Sequence, residues 1–324
     1  MSAPTAVRTP PCVSVIIAAY NAADTIGLSI RSALAEPEVG EVWVVDDRST
    51  DGTVREAMAA DDGSGRLRIR SQTQNGGPAV ARNRALAASG CPWVCVLDAD
   101  DYFLPGRIGR LLRRADGVTM IADELTRISQ GAPPPAAPPD MGSAAADITF
   151  EAFVEGNISR PGRYREELGF IKPLMNRYFL EEHDIQYDPG LRLGEDYHLY
   201  ARILARGGTL RLLPPQGYVA VTRSSSISGS HTIADLKALR DADLDLLALP
   251  VSSKGRRALR RHYRSVDQRL QWRRLIDRVK AGDPAGMIST FTSIPVAGFL
   301  ALRLAEQAWI RLGRAIRPCL DLNP

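Results

Sequence analysis

The first hundred residues alternate between apolar strands and helical patterns, and that rhythm constrains the fold more than any other feature. VSVIIAAY (Val13 to Tyr20) is a continuous apolar strand; after it Ile26, Ile30, Ala33 and Leu34 fall on one helical face, with Asp24 placed to cap the helix. EVWVVDD (Glu41 to Asp47) is the next strand, followed by a helix from near Thr53 with Val54, Ala57 and Met58 expected inward. RLRIRSQ (Arg66 to Gln72) alternates as a third strand. NGGPAVARNRALAASG then supplies a turn, Pro78 at a helix start and Gly90 as its stop, before a fourth strand at Trp93. This order predicts an α/β fold, a largely parallel sheet with helices on both faces. In such sheets ligands bind beyond the carboxyl ends of the strands.

Two of those strand ends are acidic. Val44 and Val45 run into Asp46 and Asp47, and WVCVLDADD ends on Asp98, Asp100 and Asp101. One acidic strand end is ordinary turn chemistry, since Asp terminates strands readily. Two of them, with a later GED (Gly194 to Asp196) opening a helix, point to a site. Asp98 and Asp100, one residue apart on a tight turn, suit an oxygen-ligand cation that keeps open positions for phosphate oxygens. Mg²⁺ or Mn²⁺ prefers such an arrangement of few protein carboxylates plus substrate phosphates.

With 324 residues, 44% hydrophobic and 24% charged, the chain buries a full core, as one large domain or a domain with an appendage. The four cysteines show no metal-ligand pairing with the four histidines, and Cys91 and Cys95 read as small hydrophobes, which indicates a reducing compartment. MSAPTAVRTPP is no secretory signal, so a cytoplasmic location is expected. No apolar run reaches the roughly 20 residues of a membrane span, since IPVAGFLAL (Ile294 to Leu302) is cut off by Arg303; membrane contact would be peripheral. Residues 129–147, rich in Pro, Ala and Gly, are expected to be a surface loop forming neither helix nor ladder. The net charge is only +4, but eight arginines fall from Arg256 to Arg274 inclusive. Tyr263 and Trp272 interrupt them, which raises nucleic acid as a partner; nothing else in the chain has a nucleic-acid motif, so none is expected.

The strings VSVIIAAYNAADTI, VVDDRSTDGT, NGGPAVARNRAL, LDADD and GEDYHL, in that order and spacing over about residues 11 to 206, resemble a family 2 glycosyltransferase of the GT-A fold. Within that family the resemblance is to enzymes of bacterial exopolysaccharide assembly of the succinoglycan type. It implies an inverting, metal-dependent transfer from a UDP-sugar, with Tyr20 packing on the base, Asp47 accepting from the uracil ring nitrogen and Asp46 beside it. It implies Asp98 at the ribose or the metal, Asp100 coordinating the divalent cation, and Asp196 as general base with Glu195 orienting an acceptor hydroxyl. Arg82 is a candidate for the diphosphate, with a capping or surface role equally open, and His231 for an extra metal or phosphate contact, its bland reading being a solvated residue. A GT-A domain is expected over 11–230, leaving a basic helical region over 231–324 for membrane-interface or acceptor contact.

Competing readings lack their motifs. A dinucleotide oxidoreductase needs G-x-G-x-x-G where this chain has AAYNAADT. A nucleotidyltransferase would want a Gly-rich, basic loop there, and an Asp-nucleophile phosphatase leaves Asp47 unexplained. A non-catalytic scaffold of a polysaccharide complex is the alternative, against which Asp100 and Asp196 speak. Processive synthases carry Q-x-x-R-W; here Gln268 to Trp272 reads QRLQW, so one sugar per acceptor is expected. Near the end, Leu302, Ala305, Trp309, Leu312 and Ile316 share one helical face, with Arg303, Arg311, Arg314 and Arg317 roughly opposite. That is the pattern of a helix lying in a membrane interface, and it suits a transferase that acts on a lipid-linked oligosaccharide acceptor at the inner face of the cell membrane.

Overall fold

Residues 13–136, 145–158, 168–222 and 231–320 are described in the computed structural model, the side chains as far as residue 310. The first half alternates as β1 (Val13–Ala19), α1 (Ile26–Leu34), β2 (Val39–Asp46), α2 (Thr53–Ala59), β3 (Leu67–Ser71), α3 (Pro78–Ala88) and β4 (Trp93–Val96). Then come β5 (Tyr102–Phe103), α4 (Arg107–Leu112), β6 (Met120–Asp123), β7 (Thr126–Ser129), β8 (Ala146–Ile148) and α5 (Phe150–Gly156). They are followed by β9 (Leu174–Asn176), α6 (Arg177–Glu182), α7 (Glu195–Ala205), β10 (Leu210–Leu213) and β11 (Tyr218–Thr222). The rest is helical: α8 (Ile233–Ala248), α9 (Ser253–Ala281), α10 (Pro284–Ile288) and α11 (Ile294–Leu320).

The main sheet has the order β3-β2-β1-β4-β9-β6-β10-β8, and a small second sheet has the order β5-β11-β7. β1 pairs in parallel with β2 and β4, and β2 with β3; β9, antiparallel to both neighbours, is wedged between β4 and β6. Alternation along β1 divides the core into two layers. Val13, Val15, Ile17 and Ala19 face α1, α2 and α4, whereas Ile16 faces the opposite layer with Trp43, Val45, α3 and α7. β3, at the sheet edge, turns Arg68 and Arg70 to solvent, the charged edge that discourages strand-to-strand aggregation.

Three local expectations are corrected. Thr25, not Asp24, sits at the N-cap of α1, and its hydroxyl donates to the Ala22 carbonyl. The buried face of α2 runs through Thr53, Ala57 and the following Ala60, so Met58, one position off that i, i+4, i+7 line, is 61% exposed. The end of the Pro-rich stretch does enter a ladder: Ala146–Ile148 pairs antiparallel with β10, while residues 137–144 lie outside the described residues.

The C-terminal helices pack on the sheet layer. Leu236, Leu239 and Leu246 of α8 and Ala258, Leu259, Val266 and Leu270 of α9 belong to the same core as α3 and α7. A capping box at Thr232 and Asp235 starts α8, and the Ser252 hydroxyl accepts the Gly255 N–H to start α9. Val296 and Leu300 hold α11 to Leu275 of α9 in a separate small cluster; beyond them, residues 301–310 are exposed.

Candidate active site

The carboxyl ends of β1 and β2 are stitched together by their own loops. Asn21, in the left-handed region at φ 48°, accepts the Thr50 N–H on its side chain and donates its own N–H to Ser49 Oγ. Thr53 Oγ accepts the Ala22 N–H, and Asp51 accepts from Ala23 and Thr53. Much of the RSTDGT string therefore serves to shape a rim. Tyr20 stands on that rim, 51% exposed at the end of β1. Asp46 accepts the N–H of Ser49, three residues on, on both oxygens at 3.3 Å. Asp47 is 3% exposed; one oxygen accepts from Gln72 Nε2 and the Gly76 N–H, the other from the Gly77 N–H, all at 2.7 Å. Its carboxylate thus ties β2 to the NGG turn and to the end of β3.

The second acidic end meets the GED motif, although the two are about a hundred residues apart in sequence. Gly194, at φ +75°, turns the chain into α7 and puts Glu195 and Asp196 in the first helical turn, where the macrodipole favours negative charge. Arg82 reaches up from α3, 5% exposed, and forks: Nη2 lies 2.8 Å from Asp98 Oδ1, and Nη1 lies 2.8 Å from Glu195 Oε1 and 3.2 Å from Asp196 Oδ1. Its guanidinium rests over the Tyr187 ring at 5.3 Å. Opposite it, Lys172 Nζ contacts Asp196 Oδ2 at 2.6 Å and Asp98 Oδ2 at 3.0 Å. Asp98 and Asp196 each place one oxygen on Arg82 and the other on Lys172, closing a ring of two carboxylates and two cations.

The charges respond as the geometry dictates. Burial would raise the Asp98 carboxyl, but Lys172 and Arg82 overcome it and lower it to about 2. Burial would likewise depress Lys172 and Arg82; the carboxylates around them raise both instead. Glu195, engaged at one oxygen by Arg82, is raised by burial. Asp101, the next acid after Asp100, is pushed up to about 7 by burial and by the Asp98 charge; its oxygens accept from the Tyr218 hydroxyl at 2.8 Å and the Val221 N–H at 2.9 Å.

Asp98, Asp196, Glu195 and Arg82 come together. Asp46 and Asp47 stay at the β2 end in turn contacts, and His231 lies at the start of α8, its carbonyl accepting from Arg273. Among the described residues no group of three or more His, Cys, Asp or Glu side chains could hold a metal ion, so Asp98, Asp100 and His231 do not form such a set. The carboxylate that could hold a cation there is the half-buried Asp100, in the turn beside Asp98, whose own oxygens are held by Arg82 and Lys172. No motif marks Lys172; its signal in the sequence is a lone ammonium inside the apolar run GFIKPLM, which a core accepts only when the charge is paired.

This mainly parallel sheet, with the acidic end at Asp98 meeting the acidic start of α7, is the GT-A arrangement, and the sequence pattern described as Glycosyl transferase family 2 matches residues 14–149. The chain belongs to glycosyltransferase family 2. It is 49% identical over 281 residues to the succinoglycan biosynthesis protein ExoU of Rhizobium meliloti (strain 1021), covering 83% of this chain and 79% of that protein. A shorter similarity, 37% over 97 residues and 30% of this chain, is to the Escherichia coli UDP-Glc:alpha-D-GlcNAc-diphosphoundecaprenol beta-1,3-glucosyltransferase WfaP, covering 38% of it. In fold it is similar to S. aureus TarS 1-349 in complex with UDP-GlcNAc, at TM-score 0.62 and 18% identity over 86% of this chain and 90% of that one. It is also similar to the mannosyltransferase PcManGT of Pyrobaculum calidifontis in complex with GDP-Man and Mn2+, at TM-score 0.56 and 19% identity over 92% and 80%.

Proposed function

We propose that this glycosyltransferase moves one sugar, with inversion, from a UDP-sugar to a lipid-linked saccharide in exopolysaccharide assembly. The observation that carries the reading is the ring that joins Asp98, at a donor-side strand end, to Asp196 at the start of α7. Asp196 accepts the proton of the acceptor hydroxyl as that oxygen attacks the anomeric carbon, Glu195 orients the acceptor, and Arg82 serves the leaving diphosphate as it gathers charge. Asp100 would hold a Mg²⁺ or Mn²⁺ ion, which when bound supplies positive charge for the diphosphate. Tyr20, exposed on the rim, stacks on the base, and Asp47 shapes the pocket wall that receives the uracil.

The similarity to ExoU supports the exopolysaccharide setting, TarS the UDP-sugar, PcManGT the cation and WfaP the lipid-diphosphate acceptor. The acceptor places the enzyme at the inner face of the membrane. No helix among the described residues is long and apolar enough to cross a bilayer, and the exposed part of α11 offers Leu302 and Trp309 to an interface.

Incubation with a panel of UDP-sugars and lipid-linked acceptors, read by mass spectrometry, should give a product heavier by one sugar and lose it in chelator. Asp196→Asn should cut kcat by about 10²–10⁴-fold with UDP-sugar binding nearly intact. Loss of binding together with rate would make the residue structural, and full turnover in chelator would remove the metal from the mechanism.

A further inference from the structure

We propose that Lys172 is a positioning residue for the transfer reaction: it locks the Asp196 carboxylate against the Asp98 strand end, and so fixes the base relative to the donor. The proposal rests on the reading of Asp196 as the base. The ring contacts show why a second cation is needed. Arg82 grips only the Oδ1 atoms of Asp98 and Asp196, which leaves each carboxylate free to swing about its last side-chain torsion. Lys172 holds the two Oδ2 atoms, at 3.0 and 2.6 Å, and removes that freedom.

A lysine is flexible, and it can act as a fixed strut only if its backbone is rigid. Here the Lys172 carbonyl accepts from Arg107 Nη2 at 2.7 Å, and Arg107, fully buried, pairs with Asp123 at 2.9 and 2.7 Å. Asp123 in turn accepts the Gln216 and Tyr218 N–H groups. Two residues later the chain enters β9, clamped between β4 and β6. The ammonium therefore projects from a backbone anchored at its own carbonyl and by the strand that follows, in contact with the two carboxylates. At 4% exposure it would be costly without them, and they account for its presence.

The test compares Lys172→Met and Lys172→Arg in the full chain, using the UDP-sugar and acceptor that the wild type turns over, with UDP plus Mn²⁺ binding followed by calorimetry and folding by circular dichroism. Lys172→Met should lower kcat about 10²-fold, the scale of a misplaced catalytic group, while KM for the UDP-sugar and the Kd for UDP change less than about threefold. Lys172→Arg, which restores a cation, should bring kcat back to within about tenfold of wild type. If Lys172→Met folds poorly, Lys172→Gln, which keeps a donor and loses the charge, should show the same split. Wild-type kcat in the folded neutral variant, or parallel losses of UDP binding and rate without recovery by arginine, would overturn the proposal while leaving the functional reading standing. A wild type that turns over no UDP-sugar would bring down the functional reading, and this proposal with it.

Discussion

Asp101 is held protonated by its surroundings to a degree that makes it sensitive to pH in the neutral range. Its carboxyl rises from the ordinary 3.8 to about 7, through burial and the neighbouring Asp98 charge. Between those two values the folded chain binds a proton that the unfolded chain has released, so this group stabilises the fold at the acid end of the window and that contribution is lost as pH rises through 7. Asp98 works in the opposite sense: lowered to about 2, its contribution is present above 3.8 and disappears as pH falls through 2. Thermal melts from about pH 5 to pH 8 should show a falling midpoint in the wild type and a flatter profile in Asp101→Asn, because the amide has no proton to lose in that window. Parallel slopes would mean that Asp101 is already ionised. At this scale the motifs disclose the acids and Arg82 but not their partners. Lys172 and the three donors on Asp47 come from segments far apart in sequence, and only the folded sheet brings them into contact.

The NGG turn shows an element whose conformation is tied to the Asp47 carboxylate it caps. Gly77 is at φ +83° and ψ 169°, a region that essentially only glycine enters, and that geometry aims its N–H at Asp47. Gly77→Ala should therefore lower stability by about 1–3 kcal/mol in denaturant melts and weaken UDP binding as the turn relaxes. Gly90→Ala, at a position with open space around it and no positive φ, should stay within about 0.5 kcal/mol of wild type. Equal effects at the two positions would argue against backbone strain. A helix with clear periodicity, such as α1, is readable in advance because its buried residues repeat on one face. β8 and β9 are not: each has three residues, and what makes them strands is the neighbour that pairs with them.

Across the whole molecule, the basic face of α9 and the bare end of α11 lie away from the two-layer core. Arg256, Arg257, Arg260, Arg264 and Arg273 are exposed, as are Leu302, at 66%, and Trp309, at 77%. Leu312, Ile316, Arg311, Arg314 and Arg317, the remainder of the amphipathic pattern, have side chains outside the described residues. The full chain should sediment with anionic liposomes at low salt and be released as salt rises, since surface charges are screened within about 10 Å at 0.1 M. A chain ending at Ala281 keeps the helices that complete the core, so it should bind liposomes more weakly yet still transfer to a soluble acceptor analogue; equal binding by both would remove the membrane role of the tail. The placement of β9 also sets an order of assembly. Its partner β4 lies some eighty positions earlier, with Trp93 opposite Asn176, so the middle of the sheet is a distant closure with a high entropic cost that local pairing cannot offset early. During synthesis β1 to β4 emerge with the flank of β4 still open, and Lys172, Glu195 and Asp196 arrive only afterwards. The half proposed to bind the donor is complete in the chain before the half proposed to use it has been made.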